Sequence, residues 1–268
     1  MVEDNKKVAP GHYVIRLRSR LIAPRARPGQ FAQILCDAIG GGRDPLLPRP
    51  FSFLAADKET FSVLYQVVGK GTRLLSLLKK GQTLWATGPL GNGFSAAGGK
   101  ECALALVGGG VGIPPLFHLA WELTRKEKLK ASRVQVFLGA RCKSLLLCEK
   151  EFKRLGVVLR VATDDGSKGH KGFVTELLGE FLSSFPATRG PRRVYACGPT
   201  PMLRTVSALC GRHAVEAEVS VEEPMACGFG ACLGCAIKLR TPHSERPYRY
   251  AIACTEGPVF PAATILWD

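Results

Sequence analysis

Three cysteines lie within nine residues in the segment CGFGACLGC, residues 227–235 of the 268-residue chain. The spacing is Cys227-x4-Cys232-x2-Cys235, and Cys254 follows after eighteen intervening residues. Zinc sites generally take their ligands as two separate CxxC-type clips. Three thiols on one tight loop, with a fourth from elsewhere, is instead the plant-type spacing for a [2Fe–2S] cluster. The pattern therefore favours a cluster that carries one electron at a time.

The residues between these cysteines suit the same interpretation. Gly228, Gly230, Ala231 and Gly234 allow the backbone to curl around a cluster and to aim amide N–H groups at its sulfurs. The fourth ligand, Cys254, follows a long polar stretch. Zinc, or a chance group of buried cysteines, stays open as an alternative. A disulfide does not fit, since three clustered thiols leave one without a partner.

A second group of residues suits the phosphates of a dinucleotide cofactor. Arg49-Pro50-Phe51-Ser52 follows a turn and precedes a strand, and a guanidinium beside a hydroxyl can bind pyrophosphate oxygens. Further along, the turn Gly69-Lys70-Gly71-Thr72 opens a short helix whose N-terminal amides can bind another phosphate. Either motif alone is weak evidence, but together they predict a phosphate-binding site on the first region of the chain.

Glycine-rich loops end two later strands. In the first, Gly108, Gly109, Gly110 and Gly112 join the strand ALALV to a helix that begins with Pro114-Pro115, and glycines there permit close approach to a nucleotide. This is not the G-x-G-x-x-G fingerprint, so tight packing is the alternative explanation. The second loop is formed by Cys197, Gly198 and Pro199.

Charged residues follow two other strands of the same region. Arg141 and Lys143 lie where NADP-dependent enzymes often bind the 2′-phosphate, which keeps NADP open beside NAD. Asp164 and Asp165 could contact a ribose hydroxyl, although a solvated turn is the simpler interpretation.

Three regions differ in the periodicity of their apolar residues. Residues 1–98 consist of short alternating runs broken by Gly and Pro, which predicts an antiparallel β-barrel or sandwich with one short helix at 72–81. Residues 99–214 alternate buried strands with helices, which predicts an α/β domain with a parallel sheet. Residues 215–268 contain the cysteine loop and are too short for a large core. The predicted fold class is therefore a multidomain α+β protein.

Composition excludes several classes of protein. The chain has 37 basic and 22 acidic residues, a net charge of +15, but the basic residues are dispersed and no nucleic-acid motif accompanies them. The chain shows neither a signal peptide nor a long apolar run, so we expect a cytoplasmic protein that does not enter a membrane. In a reducing cytosol the ten cysteines would be free thiols or metal ligands.

Taken in order, these motifs resemble those of ferredoxin-reductase-like flavoproteins, and most closely the electron-transfer subunits of two-subunit, NAD-dependent (class 1B) dihydroorotate dehydrogenases. The resemblance covers essentially the whole chain: R-P-F-S, G-x-G-T, G-G-G-V-G-I-P-P, Y-A-C-G-P-x-P-M-L and C-G-x-G-x-C-x-x-C. It implies FAD in the barrel, NAD(H) on the parallel sheet, and a [2Fe–2S] cluster on Cys227, Cys232, Cys235 and Cys254. The residues implied to line FAD are Arg49, Pro50, Phe51, Ser52, Leu64, Tyr65, Gln66, Gly71 and Thr72.

The resemblance also implies a partner and a route for electrons. The partner would be an FMN-containing catalytic dihydroorotate dehydrogenase subunit, assembled as a heterotetramer with two copies of each chain. Electrons from dihydroorotate, a pyrimidine precursor, would pass through the cluster and FAD to NAD+. No catalytic acid or base is expected in this chain, and none of its five histidines falls in a motif.

Two alternatives stay open at this point. A related reductase subunit, serving a ferredoxin-linked or sulfur-linked NAD(P)H oxidoreductase, would hold the same cofactors but a different partner. A zinc-stabilised interaction module without redox activity would explain the thiols alone.

Overall fold

The computed structural model describes residues 1–36, 44–95, 102–184, 192–241 and 246–267. Its first part is a six-stranded antiparallel sheet with strand order β1-β2-β5-β4-β3-β6. The six strands are β1 (Val2–Ala9), β2 (His12–Arg18), β3 (Phe31–Ile34), β4 (Arg49–Ala56), β5 (Thr60–Gln66) and β6 (Ala86–Leu90). The helix α1 (Lys70–Leu77) follows β5, so it begins two residues before the predicted helix and ends four residues earlier.

Successive side chains along β3 point alternately to the inner and the outer face of this sheet. Ala32 and Ile34 pack in the inner core of the first domain, whereas Phe31 packs against residues of the C-terminal segment. Strand residues alternate between the two faces of a sheet. The two edges of the sheet also approach each other, because the backbone of Val2 is hydrogen-bonded to Gly81 and Gln82, just before β6.

The second part begins as a parallel sheet with helices on both faces. Its strands are β7 (Ala103–Gly109), β8 (Val134–Ala140), β9 (Val158–Thr163), β10 (His170–Lys171), β11 (Arg192–Cys197) and β12 (Glu216–Ser220). Its helices are α2 (Ile113–Trp121), α3 (Glu149–Leu155), α4 (Val174–Ser184) and α5 (Thr200–Arg212). One face of β7 contributes Leu104 and Leu106 to the core beneath α2 and α3, and the other contributes Ala105 and Val107 to the core beneath α4 and α5.

The C-terminal segment is a small hairpin that remains attached to this sheet. The hairpin strands β13 (Ala236–Arg240) and β14 (Tyr248–Ile252) pair antiparallel. The chain then returns as β15 (Val259–Pro261), which pairs antiparallel with β12 and completes a seven-stranded sheet of order β10-β9-β8-β7-β11-β12-β15. An antiparallel sheet, a parallel sheet with helices and a small C-terminal segment together confirm the predicted α+β fold class.

The two domain boundaries expected from the sequence fall at different kinds of position in the structure. The boundary between 98 and 99 lies outside the described residues. The boundary between 214 and 215 falls just before β12, and β12 is hydrogen-bonded in parallel to β11. The strand that the sequence grouped with the cysteine segment is therefore part of the parallel sheet. Within the ranges given above, no helix has the length and apolar character needed to span a bilayer.

Candidate functional site

The four cysteines predicted as cluster ligands come together between the hairpin and the loop that precedes it. The amide of Gly230 donates to Sγ of Cys254 at 3.2 Å, and the amide of Cys254 donates to Sγ of Cys235 at 3.4 Å. The amide of Cys232 lies 3.5 Å from Sγ of Cys227. Cys235 and Cys254 are buried, whereas Cys232 is exposed. The group therefore has two thiols anchored in the protein core and one at the surface.

Positive backbone dihedrals produce the curl of this loop. Gly228 has φ +81° and Gly230 has φ +87°, in the left-handed region that favours glycine. Leu233 adopts φ +56° there although it carries a side chain, and this side chain is 60% exposed. The exposed side chain of Phe229 projects from the same loop. The turn thus presents amides inward to the thiols and apolar side chains outward.

The electrostatics around the thiols fit an iron–sulfur cluster. Amides of Cys232 and Phe229 donate to Sγ of Cys227 and lower the pKa of this thiol to about 6. Burial, with the neighbouring thiol of Cys235, raises the pKa of Cys254 to about 12. A bound metal centre deprotonates its thiol ligands outright, so it would offset the free-energy cost of ionising the buried thiol of Cys254.

Among the described residues, no three Cys, His, Asp or Glu side chains converge on one metal-ion position. A two-iron cluster distributes four thiolates over two metal atoms and does not require such convergence. The four thiols and their amide donors therefore fit a [2Fe–2S] cluster.

A cavity of about 370 Å³ opens on the first sheet, beside α1. Arg49 and Ser52 reach it from β4, and Tyr65 from β5. All nine residues that the resemblance assigned to FAD line this cavity: Arg49, Pro50, Phe51, Ser52, Leu64, Tyr65, Gln66, Gly71 and Thr72. The cavity therefore combines a guanidinium, a hydroxyl and an aromatic wall.

The N-terminal turn of α1 forms one wall of this cavity. Gly69, Lys70, Gly71 and Thr72 line it, and the hydroxyl of Thr72 accepts hydrogen bonds from the amides of Val68 at 3.0 Å and Gly69 at 3.2 Å. The first amides of a helix lack partners within the helix, so this end of α1 can bind an anion.

A second cavity, of about 550 Å³, lies at the carboxyl edge of the parallel sheet. Gly109 and Gly110 line it at the end of β7, and Pro199 lines it after β11. Ligands of open α/β sheets bind at this edge, where neighbouring loops separate. The position and size of the cavity suit a nucleotide.

The other residues of the predicted glycine loops pack against protein. A β-carbon at Gly112 would stand 2.4 Å from the carbonyl carbon of Cys197, and one at Gly198 would stand 2.7 Å from Cε of Met202. A β-carbon at Gly108 would press on Ile113 and Leu116 of α2. At these three positions tight packing, the alternative explanation of the sequence pattern, is the reason for glycine. The same packing also holds the two loops at the cavity. Cys197 itself lines the first cavity.

Of the charged residues considered as contacts for the nucleotide, only some line the second cavity. Arg141 and Asp164 line the second cavity. Asp165 instead accepts hydrogen bonds from the amide of Ser167 at 2.9 Å and from its hydroxyl at 2.6 Å, as expected for a turn. The amide of Lys143 is bonded to Oγ of Ser167 at 2.8 Å, next to this turn.

The two cavities share part of their lining, which is formed by Gln66, Val111 and Glu222. Glu222 is the one titratable residue of the three. Partial desolvation raises the pKa of its carboxyl group above the ordinary value. Glu222 also lies close enough to Cys197 to raise the pKa of that thiol, although burial is the larger cause. The junction is thus lined by an amide, an aliphatic side chain and a carboxyl group.

Sequence reasoning did not identify Glu222 or Phe31, which line the first cavity. Glu222 follows the carboxyl end of β12, and this position at the edge of a parallel sheet was a usable signal. For Phe31 no local pattern was available, because its role depends on packing between the first sheet and the C-terminal segment.

Two families match separate parts of the chain. Residues 222–266 match the iron–sulfur cluster binding domain of dihydroorotate dehydrogenase B, and residues 106–208 match the oxidoreductase NAD-binding domain. The first match includes all four cysteines, and the second includes the glycine loops of the second cavity.

Curated relatives are similar over nearly the whole chain. The electron transfer subunit of dihydroorotate dehydrogenase B (NAD(+)) from Desulforamulus reducens is 39% identical over 265 residues, covering 97% of this chain and 95% of the relative. The subunit of the same name from Caldanaerobacter subterraneus subsp. tengcongensis is 38% identical, covering 99% and 97%.

Solved structures share the fold. The structure described as the NADH-dependent reduced ferredoxin-NADP oxidoreductase, from work on flavin-based electron bifurcation, is 30% identical with a TM-score of 0.83, covering 100% of this chain and 89% of that one. The FAD/NAD binding domain of nitric oxide dioxygenase from Vibrio cholerae is 17% identical with a TM-score of 0.67, covering 83% and 97%. This second likeness concerns the fold alone.

These comparisons confirm the oxidoreductase class, the iron–sulfur and NAD-binding domains and the ferredoxin-reductase-like fold expected from the motifs, and the fold agrees with the expected FAD. The chain therefore belongs to the family of electron transfer subunits of NAD-dependent dihydroorotate dehydrogenase B.

Proposed function

We propose that this chain transfers electrons between a catalytic subunit that oxidises dihydroorotate to orotate and NAD+. Its own cofactors would be FAD and a [2Fe–2S] cluster, and the partner would carry FMN in a heterotetramer of two copies of each chain. One observation supports this most strongly. The first cavity meets the second cavity at Glu222. Phe31 lines the first cavity and also packs in the same core as Cys235 and Cys254.

The residues of the first cavity would bind and orient FAD. Arg49 would bind a phosphate through its guanidinium, and Ser52 would add a hydroxyl donor. In the present structure Nη1 of Arg49 donates to the carbonyls of Leu47 at 2.8 Å and Pro48 at 3.2 Å, so these bonds would have to be exchanged when a phosphate binds. The amides at the start of α1 would bind the second phosphate.

The residues of the second cavity would bind NAD(H). Gly109 and Gly110 allow the backbone to approach the pyrophosphate, and Pro199 limits the cavity on the side of β11. Val111 and Glu222 lie where the two cavities meet, so they would contact the nicotinamide end of the nucleotide.

The cysteine loop would hold the cluster on Cys227, Cys232, Cys235 and Cys254. When bound, FAD and the cluster supply the exchange between two-electron and one-electron chemistry, which protein side chains cannot provide. The exposed thiol of Cys232 is the ligand closest to solvent, and it would mark the side of the loop that meets the partner. Burial of Cys235 and Cys254 would exclude water from the other side.

We also propose a division of the chain into domains. The first would bind FAD and end near residue 98, and the second would bind NAD(H). The second would end near residue 214, and the pairing of β12 with β11 supports a boundary as late as residue 221. Such a boundary also agrees with the range 222–266 of the cluster-binding match.

The experiment that tests this function uses the complex. Co-expression with an FMN-containing dihydroorotate dehydrogenase subunit should yield a stable complex that reduces NAD+ when dihydroorotate is added. The control is each subunit alone, for which this coupled reaction should be absent. A complex that forms but cannot pass electrons from dihydroorotate to NAD+ would contradict the proposal.

A related NAD(P)H:ferredoxin or sulfur-linked oxidoreductase subunit is the second candidate. It is favoured by the similarity to the ferredoxin-NADP oxidoreductase structure and by Arg141 in the nucleotide cavity, where a 2′-phosphate could be bound. Reduction of ferredoxin by NADPH, without activity toward dihydroorotate, would identify this function instead.

A further inference from the structure

A buried glutamine lies between the first sheet and the cysteine loop. Gln33 belongs to β3, where it pairs with Pro50 of β4 and with Thr87 of β6. Its neighbours Ala32 and Ile34 point into the inner core of the first domain, so Gln33 points to the opposite face, as Phe31 does. That face is covered by the C-terminal segment, and Gln33 is only 2% exposed.

The side-chain amide of Gln33 has no hydrogen-bond partner among the described residues, at either Nε2 or Oε1. A buried polar group without a partner is costly, and native proteins nearly always satisfy such groups. Gln30, three residues earlier, illustrates the usual situation. Its Nε2 donates to the carbonyl of Gly91 at 2.7 Å, and its Oε1 accepts from the amide of Arg27 at 3.0 Å. The isolation of Gln33 therefore points to a ligand.

The group that faces Gln33 is the start of the cysteine loop. A β-carbon at Gly228 would stand 2.5 Å from Cγ and 2.7 Å from Nε2 of Gln33, so the loop backbone lies directly against the amide. Gly228 follows Cys227 in the chain. In the part of the chain that the structure describes, the residues that line the first cavity include Phe31 but not Gln33. The side-chain amide of Gln33 thus faces the cysteine loop and not the first cavity.

We propose that Nε2 of Gln33 donates a hydrogen bond to sulfur of the [2Fe–2S] cluster, on the side of Cys227, and thereby positions the cluster against the first sheet. This inference rests on the proposed function only in requiring the cluster. An N–H donor stabilises the reduced cluster more than the oxidised one, because reduction adds negative charge to the sulfurs. Gln33 therefore raises the reduction potential of the cluster, and it is a positioning residue supplied by the flavin-binding domain.

The test is a redox titration of the cluster in the full-length, cofactor-loaded chain, followed by EPR. Gln33→Met keeps the length and removes both N–H donors. We expect the ratio of reduced to oxidised cluster, at a fixed potential, to fall about tenfold, which is 59 mV for one electron. Gln33→Leu also removes the donors, so we expect a shift of the same sign and similar size. The EPR g-values should move in both variants.

The matched control is Gln30→Met, which removes an amide that is already bonded within the first domain. It should leave the potential and the g-values of the cluster unchanged. If Gln33→Met does not fold, the potential of Gln33→Leu decides alone. Clusters in the Gln33 variants that titrate at the wild-type potential would overturn the inference. A wild-type chain that binds no cluster would overturn the proposed function as well, so the two failures are distinguishable.

Discussion

The backbone amide of Gly230 donates a hydrogen bond to Sγ of Cys254 at 3.2 Å, although the two residues lie 24 positions apart in the sequence. This bond joins the tight cysteine loop to the thiol that follows the hairpin of β13 and β14. It supports Cys254 as the fourth ligand of the cluster, although Cys254 lies far from the other three cysteines in the sequence. It also makes the conformation of Gly230 a requirement of the site.

Replacing Gly230 with alanine should disturb this bond. The residue has φ +87°, and a β-carbon there would stand 2.9 Å from Cγ2 of Thr255. The left-handed conformation alone costs a residue with a side chain about 1–2 kcal/mol. We expect Gly230→Ala to lower the iron and sulfide content per chain while FAD content is retained. Gly211→Ala is the control, because a β-carbon there meets nothing within 4 Å and cofactor content should not change.

Cys232→Ser tests the order of electron transfer. If the cluster lies between FAD and the partner, the variant should lose electron exchange with the partner subunit and keep NADH oxidation by artificial two-electron acceptors. Cys142→Ser provides the control, since Cys142 is partly exposed and distant in sequence from the cysteine loop. Equal loss of both activities in Cys232→Ser would argue against this order. Steady-state rates with the two kinds of acceptor provide the measurement.

Arg49→Lys tests the flavin site. Lysine keeps the positive charge but cannot form the two parallel hydrogen bonds of a guanidinium with a phosphate. We expect the Kd of FAD to rise about tenfold, which corresponds to the loss of one charge-assisted hydrogen bond. Arg73→Lys changes an exposed arginine of α1 that does not line the cavity, and it should leave the Kd unaltered. Fluorescence titration of the FAD-free chain measures both constants.

Glu222→Gln tests the junction of the two cavities. Because desolvation raises the pKa of Glu222, the group is neutral at low pH and becomes ionised only as pH rises through the raised value. An ionised carboxylate favours the cationic nicotinamide of NAD+ over the neutral ring of NADH. In the wild type, the ratio of the Kd of NADH to the Kd of NAD+ should therefore increase with pH, by about fivefold.

The glutamine variant cannot ionise at this position, so its ratio should change less with pH than that of the wild type. Glu223, which lines the first cavity and whose pKa burial also raises, is the same in both proteins. Glu180→Gln, on the exposed face of α4, should behave as the wild type does. A wild-type ratio that does not change with pH would remove Glu222 from the nicotinamide end of the site. Equilibrium binding of each nucleotide at several pH values provides the measurement.

Local motifs predicted much of the site because their residues act close to one another in sequence. R-P-F-S lies on β4, and Gly71 and Thr72 begin α1, so each motif forms one wall of the first cavity without help from distant residues. The same holds for the cysteine loop, whose glycines determine its curl. Nearly continuous apolar runs were equally informative for β7 and β8, which are buried on both faces.

Features that depend on distant contacts could not be predicted in this way. β1 has the sequence VEDNKKVA, which lacks apolar alternation, and it is a strand because it pairs with β2 at the edge of the sheet. β12 resembles any short strand, and only its pairing with β11 and β15 assigns it to the parallel sheet. Gln33 lies in an ordinary strand sequence, and its isolation appears only when the cysteine loop covers it.

The most direct test of electron transfer follows electrons from the nucleotide to the cluster within this chain alone. Anaerobic NADH is mixed with the purified, cofactor-loaded protein, and flavin absorbance and the EPR signal of the cluster are followed in the same sample. We expect the flavin band to bleach and the EPR signal of a reduced [2Fe–2S] cluster to appear. The electrons found on the flavin and the cluster together should equal those supplied by the NADH consumed. Bleaching of the flavin in a chain whose intact cluster stays oxidised at excess NADH would contradict this expectation.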